Sequence, residues 1–283
     1  MNPILRGVLW MGGAVLSFSA MAIAARQLLA HMGPFQVLFF RSMIMLAIVL
    51  VVAAQADPGA SRTRRLPLHL LRNVIHFGGQ YCWVFAIGAL PLAMVFAIEF
   101  TMPVWTALLA ALLLGERLTR NRLVMLAFGV AGVLIILRPG FGLFHPAALV
   151  ALAAAFLYAG NMIATKRLSA TDSPLAVLLW MSLIQTPLAL VTALPQWVSP
   201  PASDLPWMAL IGVGSYTAHY CMTRAFKLAD ATVVVPIDFT RLPLIAVVGA
   251  LFYGEAFDPL ILVGAGVIFA GTYYSLSREG RRA

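Results

Sequence analysis

The chain is written twice, and each copy holds an odd number of apolar segments. Ile98-Glu99-Phe100-Thr101 returns as Ile237-Asp238-Phe239-Thr240, 139 residues later. At the same offset Tyr81-Cys82 matches Tyr220-Cys221, Leu66-Pro67 matches Leu205-Pro206, and Gly115-Glu116 matches Gly254-Glu255. Nearer the start of each copy the offset is 140: Ile23-Ala24-Ala25-Arg26-Gln27-Leu28 aligns with Ile163-Ala164-Thr165-Lys166-Arg167-Leu168. The common offset, rather than any single match, carries the argument. A duplicated unit with five membrane spans must lie in the bilayer in two opposite orientations, which places a site where the copies meet.

Composition agrees with a membrane solvent. The chain is 62% hydrophobic and 10% charged, against about 25% charged in soluble domains. Spans are expected near 5–27, 34–54, 69–89, 92–114, 120–138, 146–167, 174–194, 206–227, 232–253 and 258–277. At about 20 residues each they use most of the chain. They are continuous rather than alternating, so helices are expected and not a β-barrel. The fold class is thus all-α and polytopic, with ten transmembrane helices as two inverted five-helix repeats over residues 1–140 and 141–283. The first segment imitates a secretory leader, but its Ala-rich end recurs at 163–168, so it is retained as a span. Cys82 and Cys221 fall inside apolar segments and read as small hydrophobes. No spacing suits a metal or a cofactor.

The net charge of +9 would suggest nucleic acid in a soluble protein; here the basic residues sit between apolar segments. With the N-terminus in the cytoplasm, inside segments carry fifteen Lys or Arg: Arg6, Arg62, Arg64, Arg65, Arg72, Arg117, Arg120, Arg122, Lys166, Arg167, Arg224, Lys227, Arg278, Arg281 and Arg282. Outside segments carry two, Arg26 and Arg138. This bias puts both termini inside. The basic loops of the first copy become Asp204, Glu255 and Asp258 in the second, the charge signature of inversion.

Gly115-Glu116-Arg117-Leu118-Thr119, followed by Gly129-Val130-Ala131-Gly132-Val133-Leu134, resembles the fourth-to-fifth-span signature of the EamA-type drug/metabolite transporters. Leu38-Phe39-Phe40-Arg41 resembles their second-span Arg motif. The resemblance covers nearly the whole chain. It implies a bacterial cytoplasmic-membrane carrier without catalytic activity. The polar third span, Arg72-Asn73-Val74-Ile75-His76-Phe77-Gly78-Gly79-Gln80-Tyr81, is most similar to family members that export aromatic and other neutral amino acids.

An ionisable side chain at mid-membrane costs at least about 2.5–3.5 kcal/mol, so it faces a cavity or a partner. Arg41, Glu99, Asp238 and Arg241 are the four to explain. Depth counting brings Arg41 and Glu99 to one level, as an ion pair that fixes packing or as a pathway pair that binds a substrate's α-groups or closes a gate. Asp238 and Arg241 are three residues apart, so local neutralisation competes with contact to a zwitterion. Pro103, Pro236 and Pro243 lie beside these groups and would kink the helices. His76, Gln80 and Trp83 share one face of the third span, with Tyr81 beside them. Tyr216, His219 and Tyr220 stripe the eighth, and Tyr158 and Asn161 form a smaller pair on the sixth. Aromatic faces with a few polar groups suit an amphipathic solute, or equally hydrogen bonds between helices. Glu116 and Glu255 read as partners for nearby Arg.

These readings lead to export of amino acids, aromatic and other neutral ones, by alternating access at the repeat interface, with a monomer sufficient. Export of cationic or hydrophobic drug-like compounds is the alternative. Hydrolase and metalloprotease motifs are missing, and a passive pore is not separated from a carrier at this stage.

Overall fold

A computed structural model describes residues 3–57, 59–116, 118–138 and 145–279. The expected repeat junction at 140, with Arg117, Arg281 and Arg282, lies outside the described residues. Among those described the regular structure is helical: α1 (Pro3–Leu28), α2 (Pro34–Ala54), α3 (Leu66–Ala89), α4 (Leu92–Glu99), α5 (Met102–Leu114), α6 (Arg120–Leu137), α7 (Ala147–Leu168), α8 (Pro174–Ala193), α9 (Leu205–Leu228), α10 (Ala231–Phe239), α11 (Arg241–Tyr253) and α12 (Pro259–Glu279), with two short 3₁₀ turns before α9.

Local chemistry sets the helix ends. Pro34 and Pro174 open α2 and α8, where a missing N–H costs nothing. Thr119 and Ser173 cap α6 and α8 by accepting from the N–H groups of Arg122 and Ala176. The repeated Gly-Glu ends α5 and α11. Gly115 and Gly254 take positive φ, 67° and 61°, which a side chain would disfavour. The next N–H then turns back, Glu116 to Ala110 O at 3.3 Å and Glu255 to Gly249 O at 3.1 Å.

Among the described residues, eight helical segments are long and apolar enough to cross a membrane, with α4–α5 and α10–α11 each forming one such segment. The remaining long helices, α3 and α9, carry the polar stripes. Large apolar side chains point outward, Leu112, Leu251 and Phe252 each more than 70% exposed, an outer surface suited to lipid rather than water. The protein is a multi-pass membrane protein. Inside the bundle α1 packs on α9, α3 on α7, α2 on α8 and α6 on α12. The two spans expected at 92–114 and 232–253 are thus each broken in two, with the breaks at Phe100-Thr101 and Thr240.

Candidate functional site

The two breaks face each other. Pro103 and Pro243 cannot donate to the carbonyls of Glu99 and Phe239 four residues back, and at each break the Thr hydroxyl adds a second bond to the carbonyl that already accepts the Thr N–H: Thr101 Oγ1 donates to Ile98 O (2.7 Å) and Thr240 Oγ1 to Ile237 O (2.6 Å). The Phe100 and Phe239 rings stack at 4.0 Å between centroids. The repeated tetrapeptide is therefore a helix break that delivers an acid to the centre of the protein from each copy.

Arg241 opens α11 between those acids. Its Nη2 lies 3.5 Å from Glu99 Oε1 and 3.2 Å from Asp238 Oδ2. The guanidinium also lies over the rings of Phe18 (4.8 Å), Phe96 (5.2 Å) and Phe100 (5.2 Å), where π-faces favour a cation. Trp83 Nε1 donates to Glu99 Oε2 at 2.7 Å. Both Glu99 oxygens are thus held, while Asp238 Oδ1 is buried without a partner.

This geometry corrects the expected Arg41–Glu99 pair. Glu99 ends α4 just before the break and is turned toward the α10–α11 junction, so its partner is Arg241. Among the described residues, no carboxylate lies within ion-pair distance of Arg41. The local Asp238–Arg241 contact does form, but Arg241 is shared between two acids.

A cavity of about 140 Å³ sits against these groups. Ten of the thirteen residues singled out from sequence line it: Arg41, His76, Gln80, Trp83, Glu99, Tyr158, Asn161, His219, Asp238 and Arg241. Phe18, Met21, Leu38 and Ile211 supply apolar wall. The His76 ring lies 5.7 Å from Tyr158 and 6.4 Å from His219. Three tyrosines lie elsewhere. Tyr81 stacks on Phe35 at 4.4 Å. Tyr216 and Tyr220 stack on one another at 6.0 Å, with Trp10 against Tyr220 at 5.7 Å. Tyr81 and Tyr220 each follow a cavity residue by one position, which is about 100° around a helix.

Arg72, Asn73 and His76 of the polar third span belong to a buried polar chain beside the cavity, whose other members, His69, Thr165, Asp172 and Gln185, the sequence reading did not single out. His69 Nε2 meets Asp172 Oδ2 at 2.7 Å, and Asn73 Nδ2 donates to His69 O at 2.8 Å. Arg72 donates to Thr165 Oγ1 (3.0 Å) and to Asn73 Oδ1 (3.1 Å). Gln185 Nε2 lies 3.1 Å from His76 Nδ1. Arg72, counted from sequence with an inside loop, is 5% exposed within α3. The overlooked signal was the recurrence of His69, Asn73, His76 and Gln80 every three or four residues. Burial raises the pKa of Asp172, but hydrogen bonds from Thr63, His69 and Thr171 outweigh it and leave the carboxyl below its ordinary value.

The chain matches the model of the EamA-like transporter family over residues 5–138 and again over 145–277. It is similar to a riboflavin transporter of Vibrio cholerae, 30% identical over 99% of this chain and 95% of the relative. It is also similar to an S-adenosylmethionine uptake transporter of Rickettsia prowazekii, 24% identical over 99% and 95%. A pseudopaline exporter of Pseudomonas aeruginosa is 30% identical over 96% of each chain. One solved crystal structure superposes with a TM-score of 0.68 over 97% of this chain and 98% of the other, at 20% identity, a likeness of fold alone. These relatives are named for three different solutes, and none of the three for amino-acid export.

Proposed function

The chain belongs to the EamA-like transporter family, and from that premise we propose that it carries amino acids and amino-acid-derived metabolites across a bacterial cytoplasmic membrane through the central cavity. The observation that carries this reading is the charge content of the cavity wall. Arg41 and Arg241 bring two positive charges, and Glu99 and Asp238 two negative ones. Their formal sum is zero, which suits a solute that is itself ionised at two places and neutral overall. Trp83, Tyr158 and Phe18 add flat surface for its apolar part. S-adenosylmethionine, the solute named for the Rickettsia relative, carries such a zwitterionic amino-acid head and adds a sulfonium charge to it. Riboflavin, named for the Vibrio relative, has neither a carboxylate nor an ammonium group and would leave these charges unanswered. A drug-like cation fits less well, because Arg41 has no acid beside it.

The architecture of this reading is ten spans in two inverted five-helix repeats, residues 1–140 and 141–283. The two separate family matches support it. So does the packing. Exchanging the copies turns the α1–α9 contact into the α7–α3 contact and leaves α2–α8 and α6–α12 unchanged. Alternating access would rock one group of helices against the other around the cavity. A single chain holds the whole cavity, so a monomer suffices. The charge bias of the loops favours cytoplasmic termini, and outward transport rests on the resemblance to amino-acid exporters.

The test is flux into proteoliposomes of labelled Phe, Trp, Leu, S-adenosylmethionine and riboflavin, with and without a pH gradient. Saturable, protein-dependent movement of the amino-acid solutes is expected, with riboflavin slower. Flux of riboflavin alone, or of no solute, overturns the proposal.

A further inference from the structure

We propose that Arg41 is the anchor for an anionic group of the solute, a carboxylate, so that the cavity selects carboxylate-bearing molecules and seats that end against α2. The inference rests on the transport reading above and adds the atom that recognises the solute.

Arg41 differs from other guanidinium groups of the protein. Arg26 pairs with Glu255, Arg122 with Glu116, Arg138 with Asp258, and Arg241 with two acids. Arg72 is buried without an acid, but its Nε and Nη1 are tied to Thr165 and Asn73. Arg41 is 4% exposed and lines the cavity. Its Nη1 is buried without a hydrogen-bond partner. Its electrostatic neighbours include Tyr158, His76 and His219, and no carboxylate is among them. A buried cation left in this way lowers stability. Charges kept at such depth in a membrane protein mark a solute or ion pathway. A guanidinium offers parallel N–H donors whose geometry matches a carboxylate. The acids on the opposing α4 and α10 are already engaged by Arg241, so they do not compete for Arg41.

The experiment measures binding of labelled Phe to the full-length protein in nanodiscs, with competition by unlabelled Phe, phenylalaninamide and 3-phenylpropanoate. The amide keeps the ring and the ammonium but loses the anion; the propanoate keeps the ring and the anion. The amide should compete about 10- to 100-fold more weakly than Phe, the loss expected for one charge-assisted contact, whereas the propanoate should still compete. Arg41→Gln should abolish the difference between Phe and the amide, and Arg41→Lys should retain part of it. If wild type binds Phe and the amide equally, or if folded Arg41→Gln still discriminates, the anchor is refuted while the transport reading stands. If wild type binds none of these solutes and moves none of the amino-acid solutes in liposomes, the transport reading fails and the anchor fails with it. The analogue series on wild type decides the question even where a variant does not fold.

Discussion

Two arginines in one cavity have opposite structural consequences. Arg241 neutralises Glu99 and Asp238 together; Arg41 neutralises nothing. Removing the first leaves two acids close together in a poorly solvated place. Breaking such a buried pair costs about 3–5 kcal/mol. Arg41→Gln instead removes a charge that already lacks compensation, and should leave stability unchanged or raised. We therefore expect Arg241→Gln to lower the midpoint of thermal unfolding in nanodiscs by several degrees and Arg41→Gln not to lower it. Adding Asp238→Asn to Arg241→Gln should recover part of the loss, since one acid then remains rather than two. Equal destabilisation by both single changes would remove the distinction. The sequence disclosed all four groups, because charged residues inside apolar runs are conspicuous. It did not disclose who pairs with whom. Counting from a span end yields depth only; the direction of Glu99 around its helix depends on the break that follows it.

At the level of whole helices, the repeated motifs prove to be terminators. Ile-Glu-Phe-Thr and Ile-Asp-Phe-Thr break a span, and Gly-Glu ends one. The flanking prolines pointed to bending, but a bend and a full interruption look alike in sequence. The fifth span of each copy, α6 and α12, carries several glycines, and two of them have a specific use. A Cβ on Gly132 would lie 2.6 Å from Gly264 O, and one on Gly264 would lie 2.7 Å from Gly132 O. The two helices touch backbone to backbone at this point, the close approach that small residues allow in membranes. By contrast, a Cβ on Gly266 meets nothing within 4 Å. Gly264→Ala should push α12 from α6 and lower the unfolding midpoint, whereas Gly266→Ala should be neutral or stabilise the fold by up to about 1 kcal/mol through helix propensity. Melting of the two variants in the same detergent checks this. A stable Gly264→Ala would mean that the crossing is loose enough to yield.

Across the whole molecule, the copies hold matching locks on opposite ends of the bundle, and the locks are not equally tight. Arg26 and Glu255 correspond by repeat offset to Lys166 and Glu116. In the first lock, Arg26 meets Glu255 at 2.7 Å and also donates to Leu90 O, while Glu255 accepts the Leu92 N–H at 2.8 Å. Gln27 adds a bond to Tyr253 at 3.1 Å. In the second, Lys166 Nζ lies 3.1 Å from Glu116, but its side chain is 67% exposed. There a cavity of about 310 Å³ is lined by Glu116, Arg122 and Lys166. It shares Met102 and Met162 with the central cavity. The Arg26 lock is thus the more densely hydrogen-bonded of the two, although Arg26 also borders a cavity of about 570 Å³. The sequence showed both pairs of positions as repeat matches, but it held no information on which lock is tighter, since that depends on the backbone groups each pair meets. Hydrogen bonds from Arg122 and Lys166 lower the Glu116 pKa. Those contacts are therefore intact above the ordinary carboxylate range and are released as pH falls through the lowered value. If the two ends alternate, loosening the tight lock must expose the central cavity from its side. In a Cys82→Ala, Cys221→Ala background, a cysteine replacing Met21, which is 7% exposed and lines the central cavity, should react slowly with a membrane-impermeant maleimide supplied at the Arg26 end. Glu255→Gln should accelerate that reaction several-fold by shifting the population toward the state open at that end, and Glu116→Gln should not. Acceleration by Glu116→Gln, or none by Glu255→Gln, would show that these pairs do not hold the ends shut.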